Sequence, residues 1–112
     1  MKTLIFAPVL IESVRTSRKP GTIRLYRGEA HEFRKGEEIV GDFGPRGHHL
    51  LRVTDDTATC EFRQLTPEQL AASGFTDLDE AFDGLSEFYP SLKQDSKMAF
   101  IGFQYLGEIE DE

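Results

Sequence analysis

The chain of 112 residues holds a single cysteine, Cys60. One thiol excludes an internal disulfide and a cysteine-based metal cluster, and it suits a reducing compartment. Long hydrophobic runs are also missing: no stretch approaches the ~20 apolar residues of a membrane span. The apolar opening around Leu4–Ala7 is brief, and Glu12 and Arg15 interrupt it too soon for a signal peptide, so the start reads as mature, cytoplasmic protein with no membrane association. Positive charge is scarce overall. Thirteen Lys and Arg face 20 Asp and Glu, a net charge of −7, which argues against non-specific nucleic-acid binding, because that depends on cations neutralising phosphates. No internal repeat or linker divides the chain. Its length suits one domain with one core, expected over residues 1–107 with an acidic tail at 108–112. Hydrophobic residues at 38% and charged residues at 29% are ordinary for a globular protein.

The charge that is present is unevenly placed. Residues 1–54 hold ten Lys or Arg against six Asp or Glu, whereas residues 55–112 hold three against fourteen. Arg15, Arg18, Lys19, Arg24 and Arg27 fall in a span without a carboxylate. A local positive cleft on an acidic body follows, suited to a small anionic or nucleotide ligand.

Local patterns give the elements. Leu4–Phe6 reads as a short strand, and Pro8 fits the first turn of a helix with Leu10 and Val14 on one face, ending near Ser17. Pro20-Gly21 marks a turn, with Gly21 free to take positive φ. Thr22–Tyr26 then reads as a strand and Gly28–His31 as a polar loop. Phe33–Glu37 forms a tight turn into a strand over Glu38–Phe43, with Ile39 inward and Asp42 outward. Gly44–Gly47 is a turn by composition, and Leu50–Thr54 and Thr59–Arg63 suggest a hairpin. Thr66-Pro67-Glu68-Gln69 combines an N-cap threonine, proline at N1 and glutamine at N3, a helix start that Gly74 should end. A second helix begins near Thr76 with Leu78, Phe82, Leu85 and Phe88 or Tyr89 on one face. Met98–Leu106 is apolar on both alternations, as a buried central strand should be. This order lacks a βαβ rhythm and favours an antiparallel α+β architecture.

The chemistry concentrates between Arg18 and Arg24. On a strand Thr22 and Arg24 share one face, Ile23 anchors the other, and Lys19 reaches the same space from the turn. The spacing Lys-x-x-Thr-x-Arg at Lys19, Thr22 and Arg24 resembles the ASCH family, small relatives of the PUA domain. It is most similar to the small bacterial N4-acetylcytidine amidohydrolase branch, whose Arg-Lys-x-x-Thr-Ile-Arg run is matched by Arg18, Lys19, Thr22, Ile23 and Arg24. The wider family often has glutamate where Thr22 stands. Further landmarks are Phe33–Glu37, Leu65-Thr66 and Tyr89-Pro90. The resemblance implies a PUA-like, mostly antiparallel β-barrel with helices packed at one side and a ligand cleft between barrel and helices. Alignment on Leu65-Thr66 puts Ser73 where the amidohydrolases carry a catalytic glutamate.

Amide cleavage needs a nucleophile, a base and an oxyanion donor, roles that Thr22, Lys19 and Arg24 can divide. A lysine base needs a lowered pKa, which Arg18, Arg24 and partial burial would provide. Ser73 supplies no negative charge, which leaves Glu68, Asp77 or Glu80 as substitutes from neighbouring positions. The plainer alternative is a solvated basic strand end. Tyr26, on the face of Thr22 and Arg24, is a base-stacking candidate. His31, His48 and His49 read as surface loop residues and not as metal ligands, since adjacent strand histidines point to opposite faces. Phe100, Phe103, Tyr105 and Cys60 read as core, and Gly44-Pro45-Arg46-Gly47 as a turn and not a nucleic-acid clamp. The leading expectation is a domain that binds RNA or a modified nucleoside through Arg18, Lys19, Thr22, Arg24, Tyr26 and Ser73, without metal or cofactor. Two others stand beside it: an amidohydrolase with Thr22 as nucleophile and Lys19 as base, and an inactive module that binds a protein partner.

Overall fold

The computed structural model describes residues 1–109. Its strands are β1 (Thr3–Ile5), β2 (Gly21–Leu25), β3 (Glu38–Asp42), β4 (His48–Val53), β5 (Ala58–Glu61) and β6 (Lys97–Glu108), and its α-helices are α1 (Ile11–Arg15), α2 (Pro67–Ala72) and α3 (Leu78–Phe88). The sheet runs β1-β3-β4-β6-β2, with β5 also on β6. Only the β1–β3 pair is parallel.

β6 is apolar on both alternations because it separates two cores. Ile101 and Phe103 face a cluster with Leu4, Phe6, Ile11, Val14, Ile39, Phe43 and Leu51. Met98 faces the other, with Ile23 of β2, Phe62, Leu65 and Leu70, Ala81 and Leu85 of the two longer helices. Each fully buried aliphatic side chain contributes roughly 1.5–3 kcal/mol, so the two helices are held to the sheet mainly by this second cluster. Pairing shifts between Leu50 and Leu51, opposite Gly107 and Tyr105, so Leu106 is an extra residue in β6. Such a bulge bends its strand and increases the twist.

Four expectations are corrected here. β4 and β5 do not form a hairpin: both pair with β6, β4 along residues 103–108 and β5 along 97–100. The long apolar strand offers each a better partner than the other. The barrel is a half-barrel, because its end strands β1 and β2 are not paired with each other. β1 has only three residues, and its exit residue Phe6 meets β2 through a side chain instead, with the Arg24 guanidinium 4.9 Å from its ring. In the turn before β2 the residue with positive φ is Ser17 (φ 61°), not Gly21. Gly21 is needed for space: a Cβ there would lie 2.5 Å from the Phe100 ring. Finally, Glu108 is not the start of a tail, since it pairs with His49, and the Ile109 N–H donates to the His48 carbonyl at 2.9 Å. Residues 110–112 of the expected tail lie outside the described residues.

The helix start at Thr66 is as expected. Thr66 Oγ1 accepts from the Gln69 N–H at 3.1 Å, the Gln69 side chain accepts from the Thr66 N–H at 3.0 Å, and Pro67 opens the helix. Gly74 leaves it at φ 92°. Among the described residues no helix is long and apolar enough to cross a membrane.

Candidate ligand site at the β2–α2 contact

Lys19 enters the site from the turn that Ser17 makes, tied back by its own N–H to the Ser13 carbonyl at 2.9 Å. Its side chain is buried, 9% exposed, and its ammonium donates to the Ser73 carbonyl at 2.9 Å and to Ser73 Oγ at 3.3 Å. Ser73 is the C-cap of α2 and is itself 6% exposed. Its Oγ also accepts from the Ile23 N–H at 3.2 Å, so one hydroxyl joins the end of α2 to β2 and holds the lysine between them. Burial, together with the positive charge of Arg24, lowers the Lys19 pKa to about 8.

Thr22 and Arg24 share a face of β2, as the two-residue period requires. Thr22 is 5% exposed, and its Oγ1 accepts from Arg24 Nε at 3.2 Å. Burial lowers the pKa of Arg24, partly offset by the Tyr89 phenol. Arg27 lies beyond the strand with its guanidinium 5.9 Å from the Tyr89 ring. Its N–H donates to His31 Nδ1 at 3.2 Å, which makes that nitrogen the unprotonated one. Burial first, then Arg24 and Arg27, lower the His31 pKa, so the ring is neutral at pH 7. Lys19, Thr22, Arg24 and Ser73 are thus brought together, with His31, Arg27 and Tyr89 next to them.

Other expected members stand apart. Arg18 is exposed and donates to Thr16 Oγ1 at 3.0 Å. Tyr26 lies in a separate surface cavity of about 720 Å³ with Lys2, Glu32 and Lys97; its phenol donates to Glu32 and the Lys97 ammonium sits 4.3 Å from its ring. That hydrogen bond raises the pKa of the phenol. A second cavity of about 400 Å³ is lined by Pro20, Asp55, Glu68 and Phe100 among others. Neither cavity includes Lys19, Thr22, Arg24 or Ser73 in its lining.

No substitute carboxylate reaches Lys19. Asp77 caps α3 through the Glu80 N–H, Glu80 bonds Thr76, and Glu68 lines the second cavity. Among the described residues no carboxylate forms an ion pair with Lys19. The Lys19 ammonium is hydrogen-bonded to Ser73 and not to Thr22, so the nucleophile–base contact that acyl transfer needs is not formed in this arrangement.

Two of the three histidines are buried and not surface residues. His49 is 1% exposed, with Tyr105 Oη 2.9 Å from Nδ1 and the Arg46 carbonyl 2.9 Å from Nε2, and His31 is buried beside Arg27. His48 lies 3.6 Å from Asp42. Among the described residues no three His, Cys, Asp or Glu side chains are grouped to hold a metal. Cys60 is half-buried against the second core, and burial raises its pKa, which keeps the thiol protonated.

The architecture has solved counterparts. An ASCH domain from Lactobacillus crispatus JV V101 superposes with a TM-score of 0.72 over 96% of this chain and 81% of its own, at 12% identity. The fold is that of the ASCH domain. A DUF984-family protein from Enterococcus faecalis V583 gives a TM-score of 0.70 at 15% identity, covering 99% of this chain and 83% of that one. A Pyrococcus furiosus protein solved by solution NMR gives 0.60 at 17% identity, with 94% and 96% covered. No family model matches the sequence, and no curated protein does either.

Within this ASCH fold, sequence reasoning missed His31 and Tyr89 as neighbours of Arg24. Tyr89 follows α3, 65 positions from Arg24, and no local pattern links the two. Arg27 did carry a signal, the carboxylate-free span it shares with Lys19 and Arg24.

Proposed function

We propose that this ASCH-type domain binds RNA or a modified nucleoside at the site formed by Lys19, Thr22, Arg24 and Ser73. The observation that carries the reading is a buried cation, Lys19, set beside a half-buried one, Arg24, with no carboxylate partner for either among the described residues. Burying a charge such as that of Lys19 without a counter-ion costs several kcal/mol, and stability alone gives no reason to place a second cation beside it. A ligand rich in acceptors supplies one. Resemblance to the amidohydrolases supports the same ligand class, while Ser73 in place of a glutamate and the missing Lys19–Thr22 contact favour binding over turnover.

Calorimetric titration of N4-acetylcytidine and short single-stranded RNAs into wild type and Arg24→Ala tests this. Loss of one charge-assisted contact weakens affinity by about tenfold or more, with a small change in stability because the cation removed is half-buried and has no ion-pair partner among the described residues. A ligand bound equally by both proteins would remove Arg24 from the site.

A further inference from the structure

The arginines of this chain fall into two groups. Arg15, Arg46, Arg52 and Arg63 each lie within 4.0 Å of a carboxylate, from Glu12, Glu12, Glu38 and Glu61 respectively. Arg18, Arg24, Arg27 and Arg34 have no such partner among the described residues, and Arg24 is the one of these that is not exposed. The Arg24 guanidinium spends only Nε on the protein, in its bond to Thr22, and its two terminal amino groups make no hydrogen bond with the described residues. Its carbon sits 4.9 Å from the Phe6 ring, which supports the fork at the open seam between β1 and β2. Arg27 is exposed on the same side, its guanidinium over Tyr89, whose phenol acts on Arg24.

A guanidinium fork with both amino groups free fits two oxygens of one anion, and a second arginine nearby can close on a third. A neutral nucleoside offers nothing that requires this. We infer that Arg24 and Arg27 form a phosphate subsite, so that the ligand of the site is a nucleotide or the phosphate of an RNA strand and not a free nucleoside. This deepens the reading given above and rests on it for the adjoining base. Lys19 lies next to Arg24 and adds positive potential, while neutral His31 adds none.

Cytidine, cytidine 5′-monophosphate, inorganic phosphate and an unphosphorylated oligocytidine tetramer are titrated into the full chain by calorimetry. The monophosphate is expected to bind about tenfold or more tightly than cytidine, and inorganic phosphate to compete with it. In Arg24→Gln the preference should fall to about twofold. Arg27→Gln, at an exposed position that folding does not need, should lose a smaller part of it, which guards against misfolding of the first variant. Tighter binding of the tetramer than of the monophosphate assigns the subsite to a strand phosphodiester; the reverse assigns it to a free nucleotide. Equal affinity for cytidine and its monophosphate overturns the phosphate subsite and leaves nucleoside binding in place. Binding of inorganic phosphate as tight as that of the monophosphate upholds the subsite and overturns the nucleoside reading. No binding of any phosphate-bearing probe overturns the inference.

Discussion

The Lys19 ammonium is held inside the protein by the carbonyl and hydroxyl of Ser73, with no carboxylate partner among the described residues. The turn chemistry around Pro20 and the two-residue period of β2 place Lys19, Thr22 and Arg24 near one another, and all three are there. The partner of Lys19 is not legible in that stretch, because Ser73 stands 54 positions away and only an alignment pointed to it. Burial of the ammonium yields a prediction whose sign is fixed. In the unfolded chain Lys19 titrates at its ordinary 10.5, and in the folded chain at about 8. Below pH 8 both states carry the proton and the full cost of burying the charge is present. Between 8 and 10.5 the folded state binds fewer protons, so stability rises with pH, by on the order of 3 kcal/mol across the window. Urea denaturation of wild type and Lys19→Met from pH 7 to 10.5 isolates this. Wild type should gain on the variant as pH rises; parallel curves would mean that the lysine is solvated. The histidines are the residue-scale failure. His49 reads from sequence as a surface loop residue, yet Tyr105 and the Arg46 carbonyl satisfy both ring nitrogens inside the core, and the Tyr105 contact is long-range.

At the scale of elements, what was legible is what is locally determined. Thr66, Pro67 and Gln69 set the start of α2 because a cap, a proline at N1 and a returning glutamine all act within four residues. Strand pairing was not legible, since β4 and β5 look like a hairpin to any local reading and only the competing, fully apolar β6 decides against it. The position of Tyr26 was not legible for a related reason. β2 ends at Leu25, and the 3-10 turn Gly28–His31 returns Glu32 to the Tyr26 phenol, so the ring is taken into another cavity. The cap of α2 matters to the site because Ser73 closes the same six-residue helix. Thr66→Ala should therefore cost about 1 kcal/mol and move the denaturation midpoint accordingly. Because α2 is so short, the amides of Ser73 and Gly74 should also lose protection from hydrogen exchange. An unmoved midpoint would show that the cap does not hold α2 in place.

The whole molecule is an acidic body in which Lys19, Arg24 and Arg27 have no carboxylate partner among the described residues. The half-barrel leaves a seam between β1 and β2, α2 closes on β2 from the other side, and Lys19, Arg24 and Arg27 lie there. Net charge of −7 disfavours non-specific polyanions, and the proposed site recognises its ligand at this corner and not along a basic surface. Position is accordingly the most direct thing to measure. Amide chemical shifts of the isotope-labelled chain, followed as a short single-stranded RNA and then N4-acetylcytidine are added, report which backbone groups a ligand reaches. Binding at the proposed site moves the amides of Lys19, Gly21–Leu25 and Ser73–Gly74 most, and Arg24→Ala suppresses those shifts. Shifts confined to Tyr26, Glu32, Phe33 and Lys97, with residues 19–25 unmoved, would place the ligand in the other cavity and contradict the account.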